Sequence, residues 1–428
     1  MSKLLSFSDI KNLIKNNNLI VKNTGYLTFI ECIRLILPFV ALPYIIRTVG
    51  VERYGMVAFS YAIISYFSIF INFGLDISSV KEVAVLRDNK KQLNYLVTSV
   101  LSIKFVLLLI SFAALLLGVT FIPVLSEYKT LLLFTFISCI SEILFPIWYF
   151  QGIEKMKYIS LISSSSILLY TISVFMFIHS QDDYVYVPLL QSLSRIAVGL
   201  FGFIFLIKVE GVRFHLPPLQ RTIQVFKSAF PFFLSRVSVV YNSNLAKTIS
   251  GLFLSMESVA AFDIAQKVSQ FVLVPVSMLN RATYPHVSRT RNKAFITKYL
   301  YFSAVLGFVL SLVLFIASPI LIRIFTSENV GEATNILRVL CLYTFSDTIT
   351  MCLGTCTLVA FGFPKPFNES VVYSTIFLSL LYFLIYFFKL FNTSSFAFAV
   401  FLSSLFVLFY RLYYSMKYGI FQFTRTST

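Results

Sequence analysis

The feature that constrains this chain most is a recurrence of apolar stretches, each about as long as a bilayer is thick and separated from the next by a short polar loop. About twelve can be read, at 23–46, 55–75, 95–118, 130–150, 159–178, 184–207, 228–252, 259–281, 299–321, 333–361, 370–388 and 395–416. As a helix rising 1.5 Å per residue, such a stretch crosses the ~30 Å hydrocarbon core of a membrane. In that medium a helix is the simplest structure that satisfies its own backbone polar groups. Hydrophobic residues make up 58% of the chain and charged residues 12%. A soluble domain carries about 25% charged residues, so soluble classes are excluded. The expected fold is an all-α polytopic membrane protein of about 12 transmembrane helices.

The net charge of +17 would suggest nucleic acid in a soluble protein. Here most Lys and Arg fall in the tails and in alternate short loops, which is the positive-inside pattern. A nucleic-acid partner is therefore excluded, and both termini are expected in the cytoplasm. Residues 1–22 are rich in Lys and Asn and lack a small-residue cleavage site, so they do not read as a cleaved signal. Phe7, Ile10, Leu13 and Ile14 form one stripe there, as in a short helix lying on the membrane surface.

The longest polar interruption lies at the centre, over residues 208–227. Pro217 and Pro218 stop the preceding element, and Pro218 can lead a helix that starts near Leu219. Leu219, Ile223, Phe226 and Phe230 then recur at helical spacing beside Arg221 and Lys227, the pattern of a basic amphipathic turn at a membrane surface. About six spans precede this connector and about six follow it. The chain is thus expected to divide into an N-lobe, 1–215, and a C-lobe, 216–428. A faint echo between GMVAFSYAI (55–63) and VAAFDIAQK (259–267) fits two halves of parallel topology, since each opens the second span of its half. Pro38, Pro43, Pro146, Pro231, Pro275 and Pro319 fall within spans and are candidate bends.

Ionisable residues inside spans carry the functional information. The cations are Arg34, Lys104, Arg195, Arg236, Lys247, Lys267 and Arg338; the acids are Glu31, Asp76, Glu142, Asp263 and Asp347. At roughly 2.5–3.5 kcal/mol each, seven cations facing lipid would cost on the order of 20 kcal/mol, so they must pair, snorkel or line a wet cavity. Glu31–Arg34 and Asp263–Lys267 have the spacing of pairs on one helix face. Lys104 and Lys247 stand near span ends and are expected to snorkel. Arg195 and Arg236 have no local acid and lie deep in their spans. Unpaired arginines at that depth imply a hydrated cavity and an anionic guest, because the planar guanidinium bonds phosphate oxygens bidentately.

Motifs for enzymes, nucleotides and metals are missing from the sequence. HExxH, the P-loop and GxSxG do not occur, and His179, His215 and His286 sit in separate loops. Cys32, Cys139, Cys341, Cys352 and Cys356 all lie in apolar spans and read as small buried residues. No cofactor is expected, and any transport must draw on a gradient.

Three stretches, PYIIRTVGVERYGMVAFS (43–60), FPIWYFQGIEKMKYIS (145–160) and FPFFLSRVSVVYNSNLAKTISGLF (230–253), resemble the polysaccharide transporter family, the Wzx-type O-antigen flippases of the MOP exporter superfamily. The aromatic helix end running into Q-G-x-E-K-M-K is the most specific of the three. The resemblance implies two six-helix lobes around a central cationic cavity, working by alternating access. It implies an undecaprenyl-diphosphate-linked oligosaccharide as substrate, in the bacterial inner membrane. The polymerase and chain-length regulator of the same pathway are implied as candidate partners. Its cationic site is carried here onto Arg34, Arg195, Arg236 and Lys267, with Glu31, Glu142, Asp263 and Asp347 as candidate coupling or pairing acids. Two other classes compete. A cation antiporter of the same superfamily should carry more acids than bases in its spans, and a polymerase or ligase should carry a large external loop. Neither feature is present in the sequence.

Overall fold

The computed structural model describes residues 37–326 and 330–421. Among these residues, twelve helices of more than ten residues follow one another: α1 (Leu37–Val49), α2 (Val51–Leu86), α3 (Lys90–Phe121), α4 (Lys129–Gly152), α5 (Met156–Phe177), α6 (Gln181–Lys208), α7 (Leu219–Phe253), α8 (Met256–Thr290), α9 (Lys293–Phe325), α10 (Gly331–Val359), α11 (Pro364–Phe387) and α12 (Thr393–Lys417). Eleven are long and apolar enough to cross a bilayer, α1 being the shorter one. No strand occurs among the described residues. The start of the expected first span, the N-terminal surface helix, Cys32 and the Glu31–Arg34 pair lie outside the described residues.

Local chemistry sets several helix starts. The side chains of Asn89, Ser255, Asn292 and Asn392 each accept a hydrogen bond from a backbone N–H of the first turn, opening α3, α8, α9 and α12. Large apolar side chains on α9, such as Val305, Phe308, Ile316 and Ile320, are exposed, as a lipid-facing helix requires.

Contacts between loops show that successive helices alternate in direction. At the connector end, Lys155 bonds Glu210 at 2.6 Å and the Arg213 amide donates to Asn94 at 3.2 Å. At the opposite end, Arg53 pairs with Asp182 at 2.8 Å, and Arg47 donates to the Ile324 carbonyl at 2.8 Å. We refer to α1–α6 as the first lobe and to α7–α12 as the second.

Helix α2 extends further than its hydropathy suggests. It breaks at Phe73 and Gly74, both in the left-handed region (φ 45° and 72°), and continues from Leu75 to Leu86. A side chain at position 74 would meet the Phe233 backbone nitrogen at 2.6 Å, so glycine serves both the conformation and the close approach. Pro146 does interrupt α4, which stops at Leu144 and resumes at Ile147. Pro231, Pro275 and Pro319 sit inside continuous helices. Cys352–Val359 is wound as a π-helix, with both cysteines buried.

The lobes meet along α2, α7 and α8. A Cβ on Gly55 would fall 1.8 Å from the Met256 carbonyl oxygen, and one on Gly251 would fall 2.3 Å from the Phe59 ring. The two echoed segments thus sit on helices that pack directly against each other. At the connector end, Phe73 stacks on Phe226 and Phe233 with centroids 4.2 and 4.4 Å apart. Val212, Val225 and Ala229 are buried in the same apolar cluster as Leu75, Val83, Leu96 and Trp148. The first half of α7 therefore packs on the first lobe. Its second half reaches the other lobe, where Tyr241 bonds Ser379 at 3.0 Å and Asn242 bonds Ser374 at 3.0 Å.

Candidate functional site

The charged core of the molecule forms where α2, α7 and α8 cross. Asp263 on α8 is buried, and burying an isolated carboxylate is costly. Lys267, one turn on, donates to it at 2.7 Å, as the spacing predicts. Lys247 of α7 also pairs with Asp263, at 3.1 Å, instead of snorkelling. The Tyr54 hydroxyl of α2 donates to the same carboxylate and accepts from Lys267 at 2.7 Å. This group joins the lobes through Tyr54, a residue the sequence reading did not single out. It combines two ammonium groups with one carboxylate, so one positive charge is left over. The surplus has an outlet: the Lys267 side chain is 39% exposed, whereas that of Lys247 is 12% exposed.

Lys267 faces a cavity of about 320 Å³ between the lobes. Its wall includes Pro38 and Ile45 of α1, Tyr61 of α2, Tyr170 of α5, Gln191 of α6 and Gln270 of α8. Aromatic rings and amides around one surplus cation suit a guest with an anionic group and hydroxyls.

One turn beyond Gln191, Arg195 is exposed and lines a second cavity of about 290 Å³, shared with Glu142. No ion pair is made by Arg195 among the described residues. Glu142 is held from elsewhere, by Ser68 and Asn72, each at 2.8 Å. The Asn72 side chain passes the network to Lys104, which donates to Asn72 and to Asp76 at 2.7 Å and to the Glu142 carbonyl at 3.1 Å. Lys104 is 1% exposed, so the expected snorkelling is overturned. Its ammonium turns inward because the bend at Phe73–Gly74 brings Asp76 alongside α3.

Arg236 on α7 is exposed and has no ion pair among the described residues. It lies on a helical stripe with Ser228, Phe232, Val239 and Ser243. Val239 and Ser243 line a third cavity of about 220 Å³ inside the second lobe, together with Gln266, Gln270 and Asp347. Gln270 lines this cavity and the inter-lobe one alike. The same wall holds Arg411 of α12, which the sequence reading passed over. It is buried, donating to Ser370 at 2.9 Å and to the Thr350 carbonyl at 3.0 Å, and it covers the Phe367 ring. Arg338 is exposed over the Phe315 ring.

The structure therefore brings Lys267 to the inter-lobe cavity and Arg195 to the cavity beside it, and leaves Arg236 unpaired on the α7 stripe. Arg34 and Glu31 lie outside the described residues. Asp263 serves as a pairing acid within the crossing, Glu142 as an acceptor in the α2–α3–α4 network, and Asp347 stands in the cavity of the second lobe.

Residues 20–291 match the family described as "Polysaccharide biosynthesis protein". The chain is 23% identical over 357 residues to the "Putative O-antigen transporter" of Escherichia coli (strain K12), covering 82% of this chain and 86% of that protein. It is 24% identical over 352 residues to the protein of the same name from Shigella dysenteriae, covering 80% and 87%. Among solved structures it resembles an inward-facing multidrug resistance MATE family transporter of the MOP superfamily, with a TM-score of 0.71 and 12% identity over 90% of this chain and 94% of that one. It also resembles the lipid II flippase MurJ in an inward closed conformation, with a TM-score of 0.70 and 16% identity over 91% and 87%. These two structures show the fold.

Proposed function

We propose that this chain, which belongs to the polysaccharide biosynthesis protein family, is a flippase that carries the lipid-linked repeat unit of a surface polysaccharide across the bacterial inner membrane. The cargo we assign is an undecaprenyl-diphosphate-linked oligosaccharide of the O-antigen type. The connector and both termini would lie on the cytoplasmic side. Family and fold are those of transporters, and moving a lipid-linked sugar between leaflets makes and breaks no covalent bond.

One observation carries this reading: the charge left over at the lobe crossing. Lys247 and Lys267 share the one carboxylate of Asp263, so the group carries one net positive charge, and Lys267 as its more exposed member presents that charge to the cavity. A cation antiporter would require the reverse. Arg195 adds a guanidinium with no ion pair among the described residues in a second cavity, which it shares with Glu142. The crossing also closes the end opposite the connector. There, Gly55 lies against the Met256 backbone and Arg47 bonds carbonyls of α9. Alternating access would consist of opening this end while the connector end closes.

Deleting the gene should stop surface glycan assembly while lipid-linked units accumulate on the cytoplasmic face. The decisive measurement is the leaflet in which those units reside in a strain without a redundant flippase. Normal delivery to the outer leaflet would end the proposal. Arg236 gives a finer test. Arg236→Ala should weaken substrate affinity about ten- to hundredfold, the effect of losing a charge-assisted contact of roughly 1.5–3 kcal/mol. Arg236→Lys should restore it in part, because the charge returns without the fork. Unchanged export by Arg236→Ala at normal abundance would remove the residue from the path.

A further inference from the structure

A large cavity lies away from the lobe crossing. It is a groove of about 960 Å³ at the connector end, between the second part of α2, the start of α3 and the start of α7. Three cations line it: Lys81 of α2, Lys91 of α3 and Arg221 of α7. Arg221 is neutralised by Glu82 at 2.6 Å. Lys81 and Lys91 are exposed and have no ion pair among the described residues, so the groove holds two uncompensated positive charges. The first turn of α3, with Lys91 and Gln92, also lines it, and a helix N-terminus adds partial positive charge. The Ser78 hydroxyl, 8% exposed in the same wall, has no hydrogen-bond partner among the described residues.

Beside these polar groups the groove presents bare apolar surface. Ile77, Val85 and Phe232 are exposed by 39%, 74% and 40%. A positive-inside bias would place lysines at this end in any case, but it would not gather them with exposed aliphatic side chains in one concavity. Cations beside apolar surface are complementary to an amphiphile with a phosphate head. The groove also leads inward. Arg221, Ser228, Phe232, Arg236, Val239 and Ser243 share one face of α7. Arg221 and Arg236 are then about 22 Å apart along the helix at 1.5 Å per residue.

We propose that this groove is a loading site for the phosphate-bearing head of a membrane lipid, which leaves it along the α7 stripe toward Arg236. The proposal rests on the flippase reading and adds to it a first stop separate from the inter-lobe cavity.

The test uses the full chain in phosphatidylcholine nanodiscs with either undecaprenyl diphosphate or phosphatidylglycerol added, lipid binding being counted by native mass spectrometry. The variants are K81Q/K91Q and, as a comparison at the crossing, K267Q. Each lysine near a membrane surface contributes about fivefold to binding an anionic lipid, so K81Q/K91Q should weaken undecaprenyl diphosphate binding about twenty-five-fold. The wild-type affinity should fall with added salt, and the variant's should fall less. Equal weakening for phosphatidylglycerol would also support the site and widen its occupant to anionic lipids generally. Weakening confined to undecaprenyl diphosphate would assign it to the cargo. Both lysines are exposed, so the thermal unfolding temperature should not move. Unchanged binding of both lipids by K81Q/K91Q would overturn the loading site. If export were still lost on deletion and reduced by Arg236→Ala, the flippase reading would survive that result.

Discussion

Lys267→Met is expected to lower glycan export by on the order of ten- to hundredfold, the range for losing one charge-assisted contact to an anionic group, with the protein still at near-normal abundance. The prediction follows from a charge count. Removing Lys267 leaves Asp263 with Lys247 at 3.1 Å and with the Tyr54 hydroxyl, so no buried carboxylate is stranded. Only the surplus positive charge at the cavity wall disappears. A purely structural lysine would behave differently, because its loss would reduce abundance and export together. Lys267→Arg should keep a large part of the export. The measurements are surface glycan and membrane-inserted protein from the same cells, and wild-type export by Lys267→Met would refute an anion site at the crossing. Asp263→Asn should have the opposite character: it leaves Lys247 without its acid, so loss of stability should dominate.

Lys104→Met should show the largest effect on stability. Lys104 is a buried cation that satisfies Asn72, Asp76 and the Glu142 carbonyl together. Breaking a buried pair by removing one partner costs about 3–5 kcal/mol, toward the lower end here because the Asp76 side chain is 31% exposed. A membrane protein with ordinary stability should then largely disappear from the cell. The double variant Lys104→Met with Asp76→Asn should recover much of the lost abundance, since it also removes the stranded carboxylate. Thermal unfolding in detergent is the direct readout. A single variant that melts at the wild-type temperature would mean that the ammonium contributes nothing to the fold.

The number and order of helices were legible because hydrocarbon thickness acts on every span separately and leaves its length in the sequence. Pairing within one helix was legible for the same reason, since Asp263 and Lys267 are neighbours by periodicity alone. Partners on different helices leave no such mark. Lys104 and Asp76 are 28 positions apart, and Tyr54 and Lys267 are 213 apart. Lys104 and Lys247 looked free to reach the interface, and only the packing shows that each turns inward to a carboxylate. The second part of α2 escaped notice because its hydropathy falls after Asp76, where charged side chains begin to alternate with apolar ones. Arg411 was missed because it stands near the end of its span. There the usual expectation is a side chain that reaches water, yet Ser370 and the Thr350 carbonyl hold it inside.

Helix α7 is fastened at both ends to different bodies. Near the connector it is held to the first lobe by the Phe73–Phe226–Phe233 stack and by Arg221–Glu82. Further along it is held to the second lobe by Tyr241 and Asn242. In mechanical terms it is a tie-bar with a fixed length of chain between its anchorages. If the lobes rock while both fastenings hold, the displacement must be absorbed between them. Pro231 sits inside the near fastening, between Phe226 and Phe233, and leaves the Lys227 carbonyl without a helical donor, so the bar can also bend where it is held to the first lobe. The bar also limits travel, because the lobes can separate only as far as a flexed α7 allows. The size of the passage, and with it the bulk of cargo that can cross, is then set by the number of residues between two anchor points. One extra residue inserted there would turn everything beyond it by about 100° about the helix axis and misalign one fastening with its lobe.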